Sequence, residues 1–277
     1  MPKTPPLLSV RELSVDYLSR TGPKRAAERV SFDLDRDEVL GIAGESGSGK
    51  STVAFAIARL HRPPAFVTSG RIVLDGRDVL ALRGEALRQW RWREVSVVLQ
   101  SAMNALNPLL TIRSQFADLF RAHGIRDKAE IRERSAELLR MVGIAPDRLM
   151  DYPHLFSGGM RQRLVIAMAL ALGPKLVIMD EPTTALDVVV QRELLDEVAS
   201  LRRRLGFSVL FITHDLALMS QFCDRIGIML DGALVEIGTT RQMVEAPVHP
   251  YTRKLWNAIP PLHPPDTPSR RILERAP

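Results

Sequence analysis

Residues 44–52 read GESGSGKST: three glycines, four hydroxyl side chains and one lysine in nine positions. The stretch lies between an apolar run, VLGIA (39–43), and a run of helical character, VAFAIARL (53–60). Gly44, Gly49, Lys50 and Ser51 stand at the spacing G-x-x-x-x-G-K-S of a phosphate-cradling loop, and that motif requires a strand before it and a helix after it. Its glycines Gly44, Gly47 and Gly49 let successive backbone N–H groups turn inward on one anion. The helix that starts near Lys50 adds its positive end. A helix dipole contributes only about 1 kcal/mol, whereas even millimolar binding needs about 4 kcal/mol. The amides of 44–52 (Ser46, Ser48 and Thr52 among them), the Lys50 charge on the β- and γ-phosphates and a Mg²⁺ held by Ser51 must therefore act together.

Strands and helices alternate on both sides of this loop. RVSFDLD (29–35) alternates apolar and polar residues through Val30, Phe32 and Leu34, as a half-buried strand does. A helix is expected over 50–60, stopped by Arg62-Pro63-Pro64, and GRIVLDGRDVL (70–80) holds a strand that ends on the Asp75-Gly76 turn signal. VSVVLQ (95–100), KLVIMD (175–180), SVLFIT (208–213) and RIGIML (225–230) have the length and composition of buried strands. A helix over 127–142 carries Ile131, Leu138, Leu139 and Val142 on one face and stops at Gly143; another runs from about 188 to 205 and stops at Gly206. Such alternation argues for an α/β fold with a largely parallel sheet covered on both faces. From Ala246 the chain turns proline-rich, which reads as an extended tail.

The 277 residues are 45% hydrophobic and 25% charged, the composition of an ordinary globular chain. The longest apolar run, LVIAMALAL (164–172), is half of the roughly 18 residues that a membrane span needs. The N-terminal MPKTPPLLSV lacks the pattern of a signal peptide, so a cytoplasmic chain is expected. Cys223 is the only cysteine, which leaves no internal disulfide and no cysteine-ligated cluster. The net charge of +6 raises nucleic acid as a partner, but the arginines are interleaved with carboxylates, as in RDKAEIRERSAELLR (126–140), and read as solvated helix faces.

KLVIMDEP delivers Asp180 and Glu181 side by side at the carboxyl end of a buried strand, where open α/β sheets bind ligands. Successive strand residues face opposite ways, so the two carboxylates cannot share a task unless the strand ends there, and Pro182 ends it. Asp180 can reach Mg²⁺ through water. Glu181 is left to orient or deprotonate the attacking water, the task that phosphoryl transfer leaves to the protein.

FSGGMRQR (156–163) precedes that strand, ALD (185–187) follows it, FITHD (211–215) places His214 at the end of the next strand, and Gln100 closes VSVVLQ. This ordered set resembles the ATP-binding subunit of ABC transporters over residues 7–262. The resemblance implies a P-loop NTPase (RecA-like) core with an antiparallel β subdomain and an α-helical signature subdomain. Residues 1–245 would form the ATPase domain, with the helical subdomain at about 103–165, and 246–277 a proline-rich extension. By the same resemblance, residues 44–52 correspond to Walker A, Gln100 to the metal-binding Q-loop glutamine and Ser157-Gly158-Gly159 to the signature motif. Asp180 and Glu181 correspond to Walker B and the catalytic glutamate, Asp187 to the D-loop and His214 to the switch histidine. Tyr17 is the candidate for the aromatic that stacks on adenine.

The signature serine and glycines open the apolar helix RLVIAMALAL and so make a second anion-binding helix end. Family resemblance implies that two subunits sandwich two ATP molecules head to tail, each supplying Walker A to one and the signature to the other. Phe156 and Met160 depart from the usual Leu-Ser-Gly-Gly-Gln signature. YPHLFSGGMRQRLVIAMAL (152–170), QSAMNALNPLLTI (100–112) and HPYTRKLWNAIP (249–260) look like the subgroup that serves oligopeptide, dipeptide and nickel importers. That resemblance implies two membrane permease subunits, a second and different ATPase subunit, an extracytoplasmic solute-binding protein and a place on the cytoplasmic face of the membrane. Some members hold an iron–sulfur cluster on a cysteine-rich tail; with Cys223 alone this chain cannot. The alternative is a soluble ABC-type ATPase acting on nucleic acid or ribosomes. Such proteins insert coiled coils, zinc modules or a second ATPase domain, and this chain has no second P-loop.

Overall fold

The computed structural model of the chain describes residues 5–99, 105–184 and 186–258. Two long strands come first, β1 (Leu8–Ser19) and β2 (Gly22–Leu34), followed by β3 (Val39–Ala43), the phosphate-type loop and α1 (Lys50–Ile57). Then come β4 (Ala65–Leu74), β5 (Arg77–Asp78), α2 (Gly84–Trp90) and β6 (Val95–Val98). Three helices follow, α3 (Ile112–Ala122), α4 (Lys128–Met141) and α5 (Gly158–Leu170). The last part runs β7 (Leu176–Asp180), α6 (Val188–Leu205), β8 (Ser208–Ile212), α7 (Leu216–Phe222), β9 (Arg225–Leu230), β10 (Ala233–Thr239), α8 (Thr240–Glu245) and α9 (Pro250–Asn257).

One sheet has the order β10-β9-β3-β8-β7-β6 and is parallel except for β10, which returns along β9 through Asp231 and Gly232. Both turn residues have positive φ, 47° and 84°, as a tight hairpin of matching twist requires. The second sheet, β2-β1-β4-β5, is antiparallel throughout. This is the expected α/β architecture: a parallel core, an antiparallel β layer and a helical region between β6 and β7.

Every residue of β3, β7 and β8 is buried, because the sheet carries a hydrophobic core on each face. Alternate side chains divide between the two cores with period two. Leu40, Ile42, Leu176, Ile178, Leu210 and Ile212 join α1 and the antiparallel sheet, whereas Val39, Val177, Met179, Val209 and Phe211 join the core under α3 to α6. The helix over 127–142 forms as α4, capped by the Asp127 carboxylate on the Glu130 N–H, with Ile131, Leu138, Leu139 and Val142 buried. Gly206 takes φ 70° and closes α6 at the expected residue. Among the described residues no helix is long and apolar enough to cross a membrane.

Three local expectations need correction. Helix α1 stops at Ile57 rather than 60, because Arg59 turns left-handed at φ 57° before the prolines are reached. Strand β4 starts at Ala65, five residues ahead of Gly70, since 65–69 pair with the outer half of β1. The stretch after Ala246 is not simply extended: Pro250–Asn257 form α9, whose Tyr251, Leu255 and Trp256 pack on the helical-face core. Both the Val248 and His249 N–H groups donate to the Glu236 carboxylate of β10, which fixes the entry to that helix.

Candidate functional site

The carboxyl ends of three neighbouring parallel strands converge. Strand β3 leads into the 44–52 loop, β8 into Thr213 and His214, and β7 into Asp180 and Glu181. Side chains far apart in sequence therefore meet at one edge of the sheet, as the ligand sites of open α/β sheets do.

The loop's glycines answer to different demands. Gly44 (φ 149°) passes so close to β9–β10 that a Cβ would lie 2.2 Å from the Met229 carbonyl oxygen. Gly49 (φ 97°) is equally tight against β2, with a Cβ 2.2 Å from the Ala26 carbonyl oxygen. Gly47 has φ 81° but nothing within 4 Å, so its requirement is conformational alone. Glu45, Ser46 and Gly47 are exposed, and Ser48, Gly49 and Lys50 are buried beneath them. The Lys50 ammonium donates to the carbonyl oxygens of Gly44 and Glu45, both at 2.8 Å, and lies 3.4 Å from Ser48 Oγ. Burial lowers its pKa from the usual lysine value, opposed by the Glu181 and Asp180 carboxylates. Ser51 and Thr52 are half-buried on the first turn of α1.

Ser51 Oγ donates to Asp180 Oδ1 at 3.0 Å. Burial raises the Asp180 pKa, the Ser51 hydrogen bond lowers it and the neighbouring Glu181 raises it; the outcome is a carboxyl above its usual range. An oxygen-only pair of one hydroxyl and one carboxylate fits Mg²⁺, which takes one or two carboxylates and completes its octahedron with water and substrate phosphates. Glu181 leaves the strand in a left-handed conformation, φ 47°, its N–H on the Ile212 carbonyl at 2.8 Å. That turn separates its carboxylate from Asp180 and sends it to β8: Oε1 lies 3.0 Å from His214 Nδ1, and Oε2 accepts from Thr184 Oγ1 at 3.0 Å. Burial pushes the Glu181 carboxyl up, but the His214 and Thr184 hydrogen bonds outweigh it and hold the group below the usual range. The His214 side chain is 63% exposed, open to a ligand on its far side.

Ser157, exposed, caps α5 by accepting from the Met160 N–H at 3.3 Å. Asp187 caps α6 in the same way, accepting from Val190 N–H at 3.0 Å. The two helix ends face one shallow groove of about 380 Å³ shared by Ser157, Gly158, Gly159, Asp187 and Arg163. None of the loop residues 44–52 lines it. Gly159 is close-packed there: a Cβ would stand 2.9 Å from Val190 Cγ1, so the valine side chain would have to shift.

Tyr17, half-buried near the end of β1, is drawn to α1 by a residue that the sequence did not single out. His61 stands edge-on to Tyr17 and places its Nε2 2.8 Å from the Thr52 carbonyl oxygen. Thr184 is the other unforeseen member; its place three residues after Glu181 was the available signal. Gln100 lies outside the described residues.

A family model described as ABC transporter matches residues 27–184, and one described as oligopeptide/dipeptide transporter, C-terminal region, matches 235–277. The peptidoglycan transport ATP-binding protein YejF of Agrobacterium fabrum is 48% identical over 95% of this chain, which spans 48% of that protein's length. The dipeptide transport ATP-binding protein DppD of Caldanaerobacter subterraneus is 40% identical over 91% of this chain and 78% of its own. Among solved structures, a dimeric ATP-binding cassette in a post-hydrolysis state with ADP and Pi superposes with a TM-score of 0.74 at 28% identity, covering 84% of this chain and 99% of that one.

Proposed function

Because this chain belongs to the ABC transporter family, we propose that it is the ATP-hydrolysing subunit of an importer that takes up di- or oligopeptides, or a related small solute such as nickel, through separate permease subunits. The observation that carries the reading is the meeting of Lys50, the Ser51–Asp180 pair and the Glu181–His214 pair at three adjacent strand ends. The loop amides and Lys50 grip the β- and γ-phosphates of ATP, Lys50 exchanging its two carbonyl partners for phosphate oxygens. Ser51 and Asp180, with Gln100 as a further ligand, would hold Mg²⁺, which would supply neutralisation of charge on those phosphates. Glu181, held ionised by donors that include His214 and Thr184, accepts a proton from the attacking water or fixes its line of approach. His214 gives up part of its hold on Glu181 to reach the γ-phosphate. Tyr17 stacks on the adenine.

The exposed signature groove supports a second subunit as its occupant: Ser157, Gly158 and Gly159 serve the γ-phosphate held by the partner's loop, with Asp187 alongside. The similar solved cassette is described as dimeric. The working assembly has two permease subunits, a second and different ATPase subunit and an extracytoplasmic solute-binding protein, with this chain peripheral on the cytoplasmic face of the membrane. The match of 235–277 to the oligopeptide/dipeptide region and the names of the relatives support a peptide cargo.

Glu181→Gln tests the chemical assignment. ATP binding should persist while hydrolysis falls by at least about 100-fold, the lower range for loss of a general base. Near-normal turnover removes Glu181 from the role. Co-expression with the permease pair tests the transport assignment, with membrane recovery and ATP-dependent peptide uptake as readouts; stimulation by DNA or RNA without membrane recovery overturns it.

A further inference from the structure

Helix α1 ends at Ile57, and the chain then turns back toward the outer end of β1. The Leu18 N–H donates to the Pro64 carbonyl at 2.8 Å, and Tyr17 pairs with Ala65 in the sheet register, so the returning segment is tied to the strand that carries Tyr17. His61 sits in the middle of that return. Its ring centroid is 6.4 Å from that of Tyr17 with the planes at 87°, and 6.3 Å from that of Phe55 at 72°. Both are edge-to-face contacts, the arrangement that aromatic quadrupoles favour. The Thr52 carbonyl can only accept, so His61 Nε2 carries the hydrogen and donates across 2.8 Å. Burial lowers the His61 pKa and so favours the neutral ring, opposed by the hydrogen bond to Thr52.

Three anchors thus fix one imidazole: a backbone oxygen on the first turn of the phosphate-binding helix, a ring on the same helix and the ring of Tyr17. The histidine spans the distance between the part of the fold that grips phosphate and the part that faces the base. We propose that His61 is a positioning residue for nucleotide recognition, holding the Tyr17 ring at the tilt on which the adenine of ATP stacks and referencing that tilt to Thr52 on α1. The inference rests on the reading of Tyr17 as the base-stacking side chain. It assigns this chain a base-side determinant of affinity for purine nucleoside triphosphates, separate from the phosphate grip.

The test compares two ligands on the full chain with Mg²⁺ present: ATP, which has a base, and inorganic tripolyphosphate, which does not. An edge-to-face aromatic pair is worth about twofold to twelvefold in an equilibrium constant. His61→Ala should weaken ATP binding by about that factor and leave tripolyphosphate unchanged. Tyr17→Ala should weaken ATP at least as much, and adding His61→Ala to it should cost nothing further. His61→Phe keeps the ring but cannot donate to Thr52. It should recover part of the lost ATP affinity, and it carries the comparison if the alanine variant is unstable. Equal weakening of both ligands overturns the proposal, because the histidine then supports α1 as a whole. Unchanged ATP affinity in His61→Ala with a clear loss in Tyr17→Ala also overturns it while leaving Tyr17 in place. Unchanged affinity in both variants removes the Tyr17 reading itself.

Discussion

Gly49→Ala combines two effects in the 44–52 loop, and Gly47→Ala separates them. Both glycines have positive φ, 97° and 81°, where an L side chain costs about 1–2 kcal/mol. At Gly47 nothing lies within 4 Å of the added methyl, so that backbone strain is the whole effect. At Gly49 the methyl carbon would lie 2.2 Å from the Ala26 carbonyl oxygen, well inside any contact that real side chains make. Neither atom is the end of a flexible side chain, so either β2 or the loop must move by about an ångström. Overpacking of that kind costs about 1–3 kcal/mol, giving roughly 2–5 kcal/mol in total against about 1–2 kcal/mol at Gly47. If the loop yields, the loss appears in ATP affinity at a factor of about ten per 1.4 kcal/mol. If β2 yields, it appears in melting temperature, at about 2–4 °C per kcal/mol for a chain of this size. Calorimetric melting with and without Mg-ATP, together with ATP titration, measures both. Equal melting and equal affinity in the two variants would refute the close approach of the loop to β2.

Thr184→Val deletes one of the donors that hold the Glu181 carboxyl low. Its pKa should rise, and since a depressed carboxyl is lost only as pH falls through its folded value, the acid limb of kcat/KM should move to higher pH; an unmoved limb rejects the Thr184 contribution. Ser157→Ala removes a helix cap worth about 1 kcal/mol, so melting should drop only modestly. ATP-driven association of the Glu181→Gln chain with its second ATPase subunit, followed by gel filtration, should be lost when Ser157→Ala is added; normal association removes Ser157 from the subunit contact. The buried Cys223 thiol, pushed up in pKa by its surroundings, should resist a thiol reagent at pH 8 and react on addition of urea, and prompt labelling of the folded chain would contradict its burial.

Much of the parallel core could be read in advance because its signals are local. VLGIA, LVIM (176–179) and VLFI (209–212) carry no polar side chain, and in a sheet covered on both faces they need no alternation to be recognised. Asp127, Gly143 and Gly206 mark helix ends by chemistry that acts within a few residues. β1 escaped for the opposite reason. Its pairing shifts between Val10 and Leu13, between Leu13 and Val15 and between Val15 and Asp16, so Leu13, Ser14 and Val15 are buried in succession and period two is lost. Proline in the tail suggested extension, yet Pro250 stands in the first turn of α9, where a missing N–H costs nothing. The ordered motifs anticipated Asp180, Glu181, His214 and Ser157 as site candidates, but not the contacts that distinguish them. His214 meets Glu181 across 33 residues, and His61 meets Tyr17 across the whole of β2, β3 and α1.

The seat of Lys50 limits what a bound anion could gain from that side chain. Its ammonium already donates to two carbonyl oxygens, so it is not a bare cation whose whole attraction is available to a ligand. A triphosphate bound there would have to exchange those partners for its own oxygens. The gain therefore measures how much better phosphate oxygens are than peptide oxygens, multiplied over a long polyanion. A phosphate oxygen carries formal charge where a peptide oxygen offers only a dipole, and that charge is what the exchange gains.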